Sequence, residues 1–284
     1  MGAVGRWWFA PLPLARVAWL RTFLYLFIFV DVLVTTAWVG GHGFVSTELY
    51  DPLAIGRIFP LPEPTHAVAL ITSIALLLGA GVAATGRWPR VAGTAVALLY
   101  LEWMVIAFSF GKVDHDRVAL LVALFVLPTA GKAHWRDEES SEAAGWAIRC
   151  IQVAVVLTYF LASFAKFRFG GLNWATGATL ARAVVRRGRW MADWLTDVPV
   201  LLRATQFGII AFEFLSPLLL VRGRVGYTFV ALAILFHVVT FMSISIIFLP
   251  HVVCLLAFLP LERLGRARAP VFDALRWRDR LPAR

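Results

Sequence analysis

The sequence predicts an all-α fold, a polytopic bundle of about eight helices integral to a membrane, with an amphipathic helix lying at the interface after the fifth. Three observations lead there. Of 284 residues, 60% are hydrophobic and 15% charged, whereas soluble domains carry roughly 25% charged residues. Long, mostly apolar runs recur along the chain, and with their flanks several approach the ~20 residues that cross a bilayer. The strict alternation of apolar and polar residues that a membrane barrel would require is absent.

The elements follow in order. The first span, 19–40, holds an apolar segment that follows Arg6, Arg16 and Arg21 with no acid before it; it is long for a signal-peptide core and no small-residue cleavage site clearly follows, so it is expected to remain as a span. Spans two and three, 65–85 and 91–110, flank a short turn holding Arg87 and Arg90. A short fourth, 117–129, leads into a loop with Lys132, Arg136 and an acidic run, Asp137, Glu138, Glu139 and Glu142, which reads as a solvated surface. The fifth, 146–166, closes on Lys166, and the sixth covers 201–221. The seventh and eighth, 225–242 and 246–261, divide one apolar stretch, with the turn between Met242 and Pro250. An even number of spans returns the Arg-rich tail to the side of the basic N-terminus, as the positive-inside rule asks. The expected organisation is therefore a cytoplasmic N-terminal segment 1–18, a transmembrane domain 19–261 and a basic cytoplasmic tail 262–284, in a multi-pass protein of the cell membrane.

The formal charge of +10 resides largely in the two ends, so it speaks for membrane topology. Nucleic acid is not an expected partner, because no soluble face interleaves basic and aromatic residues; the bilayer is. The two cysteines, Cys150 and Cys254, are embedded in apolar sequence and supply neither a disulfide framework nor zinc spacing, and no metal site is expected. No internal repeat of the kind a secondary transporter shows is evident. The loop after Lys166 departs from the charge rule. In it Arg182, Arg186, Arg189 and Asp193 share one face at helical spacing, and Leu180, Val184, Met191 and Leu195 another. That pattern fits an amphipathic helix in the headgroup region, or a cationic lid over a site.

Ionisable residues in apolar spans carry the functional expectation, since a charge at mid-bilayer costs from about 3 to over 10 kcal/mol. Asp31 lies in span one, Glu102 in span three, Glu213 in span six and His237 in span seven, and all could face one cavity with Lys166. Each also has a structural reading. Glu213 and His237 could hydrogen-bond across neighbouring helices, Asp31 and Glu102 could be satisfied by a proton or an arginine, and Lys166 could snorkel to the surface. The surroundings of Lys166 favour a built site: Gly170 and Gly171 permit tight turns, Asn173 can cap the next helix, Trp174 can anchor at the interface, and Gly177 follows. A poorly hydrated amine there is a usable base toward a weakly acidic phenol or quinol arriving from the lipid.

The stretch YFLASFAKFRFGGLNWATGATL resembles the motif of the HTTM (horizontally transferred transmembrane) domain family: an apolar helix ending in Lys, a spacer, Trp, two residues, then Gly and a small residue. FEFLSPLLLVRGR places Glu213 at the family's glutamate, and ILFHVVTFMSISIIFLPHVVCLLAFLP places His237 at its histidine, with Phe248 after it. The family includes the vitamin K-dependent γ-glutamyl carboxylase and its bacterial relatives. The resemblance implies Lys166 as the base toward a lipid-soluble hydroquinone and His115, in GKVDHDRV, as a second catalytic residue, here preceded by Asp114. Carboxylase- or epoxidase-like proton abstraction or redox chemistry with a quinol is then expected. The alternative is a non-enzymatic membrane factor for the maturation, export or immunity of a secreted peptide, with a small peptide as partner.

Overall fold

The computed structural model describes residues 2–266, so the basic tail beyond Arg266 lies outside the described residues. The described chain is all-helical in class, its strands limited to one antiparallel pairing of Leu12–Pro13 with Ser140–Ser141. The principal helices are α1 (Leu14–Val30), α2 (His66–Ala84), α3 (Pro89–Phe108), α4 (Val118–Val126), α5 (Glu142–Gly170), α6 (Thr179–Arg187), α7 (Pro199–Phe214), α8 (Arg224–Ile244) and α9 (Leu249–Cys254). Among the described residues five segments are long and apolar enough to cross a membrane: Leu14–Thr35, His66–Ala84, Pro89–Phe108, Glu142–Gly170 and Arg224–Ile244.

Their ends follow the local chemistry. Thr65 caps α2 through its hydroxyl, which accepts from the Val68 amide at 3.3 Å. Pro89 opens α3 and Pro199 opens α7, positions where a missing N–H costs nothing. The α7 helix stops at Phe214, and Pro217 lies in the 3₁₀ turn Ser216–Leu220 that completes the apolar stretch 201–221. Ser245, in the left-handed region at φ 56°, ends α8 and starts the turn into α9.

The described residues divide into two compact units, the first made of 2–114, 121–150 and 259–266, the second of 115–120 and 151–258. In the first unit α1 packs on α2 and α2 on α3, burying Leu20, Leu24, Tyr25 and Ile28 with Leu76, Tyr100 and Trp103. Small residues allow the close approach: a methyl at Gly93 would lie 2.6 Å from Tyr25 Oη and 2.7 Å from Pro128 Cγ. Beyond α1 the backbone widens into a π-turn, Asp31–Thr35, in which the Thr36 amide donates to the Asp31 carbonyl at 2.7 Å. The Asp31 carboxylate accepts from Tyr100 Oη at 2.8 Å and from the Thr35 hydroxyl, and Trp103 Nε1 donates to Thr36 Oγ1 at 2.9 Å. Glu102 is buried nearby in sequence on α3, with neither carboxyl oxygen hydrogen-bonded among the described residues. At the far end of α1, Arg16 makes two hydrogen bonds of 2.7 Å to Glu262.

The second unit holds the end of α5 with α6 to α9. Polar side chains tie its segments: Ser216 Oγ donates to the Val156 carbonyl at 3.2 Å and Gln152 Nε2 to Ala257 O at 2.9 Å. The expected single amphipathic helix through Leu180 to Leu195 is shorter than the periodicity suggests. It ends at Arg187 because Gly188 turns to extended backbone at ψ 154°, and Arg189 and Asp193 leave the helical face. The apolar side of the pattern survives the break, since Val184 and Ala192 pack with Ile244 in one small cluster that Leu195 joins.

Candidate functional site

Lys166 occupies the last turn but one of α5. That helix ends where Gly171 adopts φ +58° and its amide donates back to Phe167 O at 3.0 Å, a left-handed cap that glycine accommodates without a Cβ penalty. Gly170 then lets the chain fold back: a methyl there would lie 2.9 Å from Trp174 Cβ. Trp174 is thereby placed with its ring centroid 5.1 Å from Lys166 Nζ, in cation–π range. Asn173 does not cap the next turn. Leu172 occupies that position, no side chain bonds there, and Asn173 is exposed, contributing its carbonyl to the Gly177 amide at 2.9 Å. A methyl at Gly177 would press on that same carbonyl at 2.6 Å.

The lysine is not solitary. Its Nζ donates to both carboxylate oxygens of Glu213, on α7, at 2.6 Å each, and the two side chains keep 19% and 7% of their surface exposed. Acid–base chemistry at this point therefore belongs to a coupled pair rather than to an amine alone. Beside it, Tyr159 Oη and His237 Nε2 are 2.6 Å apart, and the tyrosine ring meets His251 edge-on with centroids 4.5 Å apart. His237 Nδ1 and both ring nitrogens of His251 are buried with no hydrogen-bond partner among the described residues.

Two cavities meet at the pair. The larger, about 620 Å³, is lined almost wholly by apolar side chains of α6, α7 and α8, within the 300–1,000 Å³ usual for small-molecule sites. The smaller, about 110 Å³, has mixed walls that include His115, Asp116, Tyr159, His237 and His251. Lys166, Glu213, Phe236 and Phe248 line both. A long apolar ligand in the first cavity would thus bring a polar end to a charged pair backed by imidazoles. Polar groups few in number and convergent at one end of an apolar cavity are what orient such a ligand.

Of the residues singled out in the sequence, Lys166, Glu213, His237 and His115 share this chamber. Asp31 and Glu102 belong to the first unit, where Asp31 serves the Tyr100 and Thr35 hydrogen bonds described above. Tyr159 and His251 were not singled out. Tyr159 had a signal, since it lies seven residues before Lys166 and so on the same face of α5; His251 offered only that it is an imidazole inside the apolar stretch after Pro250. Among the described residues no group of three or more His, Cys, Asp or Glu is arranged to hold a metal ion. Comparison with family models, with curated proteins and with solved structures finds no match to this chain.

Proposed function

We propose that this chain is an HTTM-type integral membrane protein of eight spans, with both termini cytoplasmic and α6 lying at the outer interface. Its second unit binds a lipid-soluble ligand bearing an acidic hydroxyl, a quinol or phenol, with the apolar portion in the 620 Å³ cavity and the hydroxyl at the Lys166–Glu213 pair. The observation that supports this reading is the shared position of that pair, in the wall of an apolar cavity and in the wall of a second, smaller one lined by three histidines. When the ligand O–H bond breaks, the proton passes to the Glu213 carboxylate, and the Lys166 ammonium remains to balance the oxyanion. His115, Tyr159, His237 and His251 then offer a polar outlet for the proton, away from the lipid side.

The experiment uses the full chain in lipid nanodiscs and a long-chain alkyl nitrophenol, whose visible absorption reports its ionised form. Binding with a rise in the nitrophenolate band is expected for the wild type, with the band lost in Glu213→Gln and binding weakened in Lys166→Ala. Absence of binding, or a band unchanged by both substitutions, would overturn the reading and leave the chain as a non-enzymatic membrane factor.

A further inference from the structure

The segment between α5 and α7 does two things at once. On its inner side Leu180, Ala183, Val184 and Leu195 form part of the wall of the apolar cavity. On its outer side Arg182, Arg186, Arg187 and Arg189 are exposed, and none of them takes part in an ion pair among the described residues. Exposed apolar side chains stand beside these arginines in sequence: Val185, between Arg182 and Arg186, is 81% exposed, and Trp190, next to Arg189, is 80% exposed. Bulk water is a poor environment for such side chains, whereas the boundary between headgroups and acyl chains accepts tryptophan and aliphatic side chains beside arginine.

The ends of the segment are held. Gln206, buried on α7, accepts from the Leu180 amide at 2.7 Å and donates to the carbonyls of Ala175 at 2.6 Å and Gly177 at 3.1 Å. Past Gly188, the Arg189 amide donates to Ser243 O at 3.0 Å, and its guanidinium stacks on Phe241. Arg182, Arg186 and Arg187 are left as a row on a pinned helix. A guanidinium presents a planar fork of donors that matches phosphate oxygens two at a time.

We propose that α6 is a binding surface for the phosphodiester headgroups of anionic phospholipids, so that the wall of the ligand cavity is docked to the negatively charged lipid around it. The partner is membrane lipid and not soluble phosphate, because Val185 and Trp190 stand exposed beside the arginines, and a headgroup–acyl boundary covers such side chains whereas a free phosphate does not. The inference deepens the proposed function by making α6 the lipid-facing wall of the same site, but it is tested without the phenol.

The test places the full chain in nanodiscs of phosphatidylcholine containing equal fractions of either brominated phosphatidylglycerol or brominated phosphatidylcholine. Tryptophan quenching is taken as the difference from a Trp190→Phe/Trp194→Phe variant, since the chain has 12 tryptophans. Stronger quenching by the anionic lipid is expected, declining with salt. In Arg182→Gln/Arg186→Gln/Arg187→Gln the preference should fall by up to about fivefold for each arginine removed. The corresponding lysine triple variant keeps the charges without the planar fork, so it should retain the part of the preference that charge alone supplies, which controls for folding. Equal quenching by the two lipids in the wild type, or a preference unchanged in the glutamine variant, overturns the inference. A preference that persists when no nitrophenol binds would refute the proposed function and leave the lipid surface standing.

Discussion

Replacing Lys166 with methionine is the most direct probe of whether the Lys166–Glu213 pair is enclosed. Methionine keeps an unbranched apolar stem like that of lysine and lacks the charged end. In the wild type one Nζ serves both Glu213 oxygens at 2.6 Å, and the glutamate keeps only 7% of its surface exposed. Removing one partner of a buried pair strands the other, a loss of about 3–5 kcal/mol. The stacking over Trp174 adds about 0.5–1 kcal/mol at a partly exposed site. Glu213→Leu should cost a similar amount, but the double variant should cost no more than about 1 kcal/mol, because an apolar pair of similar volume has no charge to desolvate. Denaturant titration of the four proteins in micelles, followed by tryptophan fluorescence, closes the double-mutant cycle. If Lys166→Met costs under about 1 kcal/mol, as an exposed pair would, or if the two single losses simply add, the pair is screened by solvent and no enclosed site exists.

The other predictions concern packing and pH. Gly93→Ala should destabilise the first unit by about 1–3 kcal/mol, because the methyl meets Tyr25 Oη and a proline ring at under 3 Å; Gly208→Ala, with open space around it, should be neutral or stabilising by up to about 1 kcal/mol, and thermal unfolding distinguishes the two. Partial burial, the largest single influence, pulls the Glu262 carboxyl upward, yet the hydrogen bonds from Arg16 and from its own backbone amide, together with the charges of Arg16 and Arg263, hold it below its ordinary value of 4.5. Its contribution is thus fully present above pH 4.5 and is lost as the pH falls through the lower, folded value. Acid unfolding should show that added dependence in the wild type and not in Glu262→Gln.

Helical class and membrane-crossing length were legible because they depend on local composition over about twenty residues. Stops were less so. The apolar stretches 117–129, 201–221 and 246–261 read as spans, and in the structure each combines a shorter α-helix with a 3₁₀ turn. Proline marks two of those turns, at Pro128 and Pro217. Gly188 was likewise visible as a glycine, but whether it ends a helix or lies within one depends on the packing of Val184, Ala192 and Ile244, which is tertiary. Within the site, Lys166, Glu213 and His237 drew attention because charge and imidazole are rare in apolar runs. Their mutual distances were not legible, because they depend on how α5, α7 and α8 are rotated about their axes. Tyr159 was hidden for a related reason: a tyrosine in an apolar helix is ordinary until its hydroxyl finds an imidazole.

The π-turn after α1 sets an angle as well as a length. In a regular α-helix the Thr36 amide would reach Val32, and every later residue would rotate by about 100° relative to its present position. Thr36 would then turn its hydroxyl away from the indole N–H of Trp103, stranding that donor in an apolar interior. One surplus residue after α1 is therefore what aims threonine at tryptophan, and a deletion from Val32 to Thr35 would break that link between two elements without removing either partner.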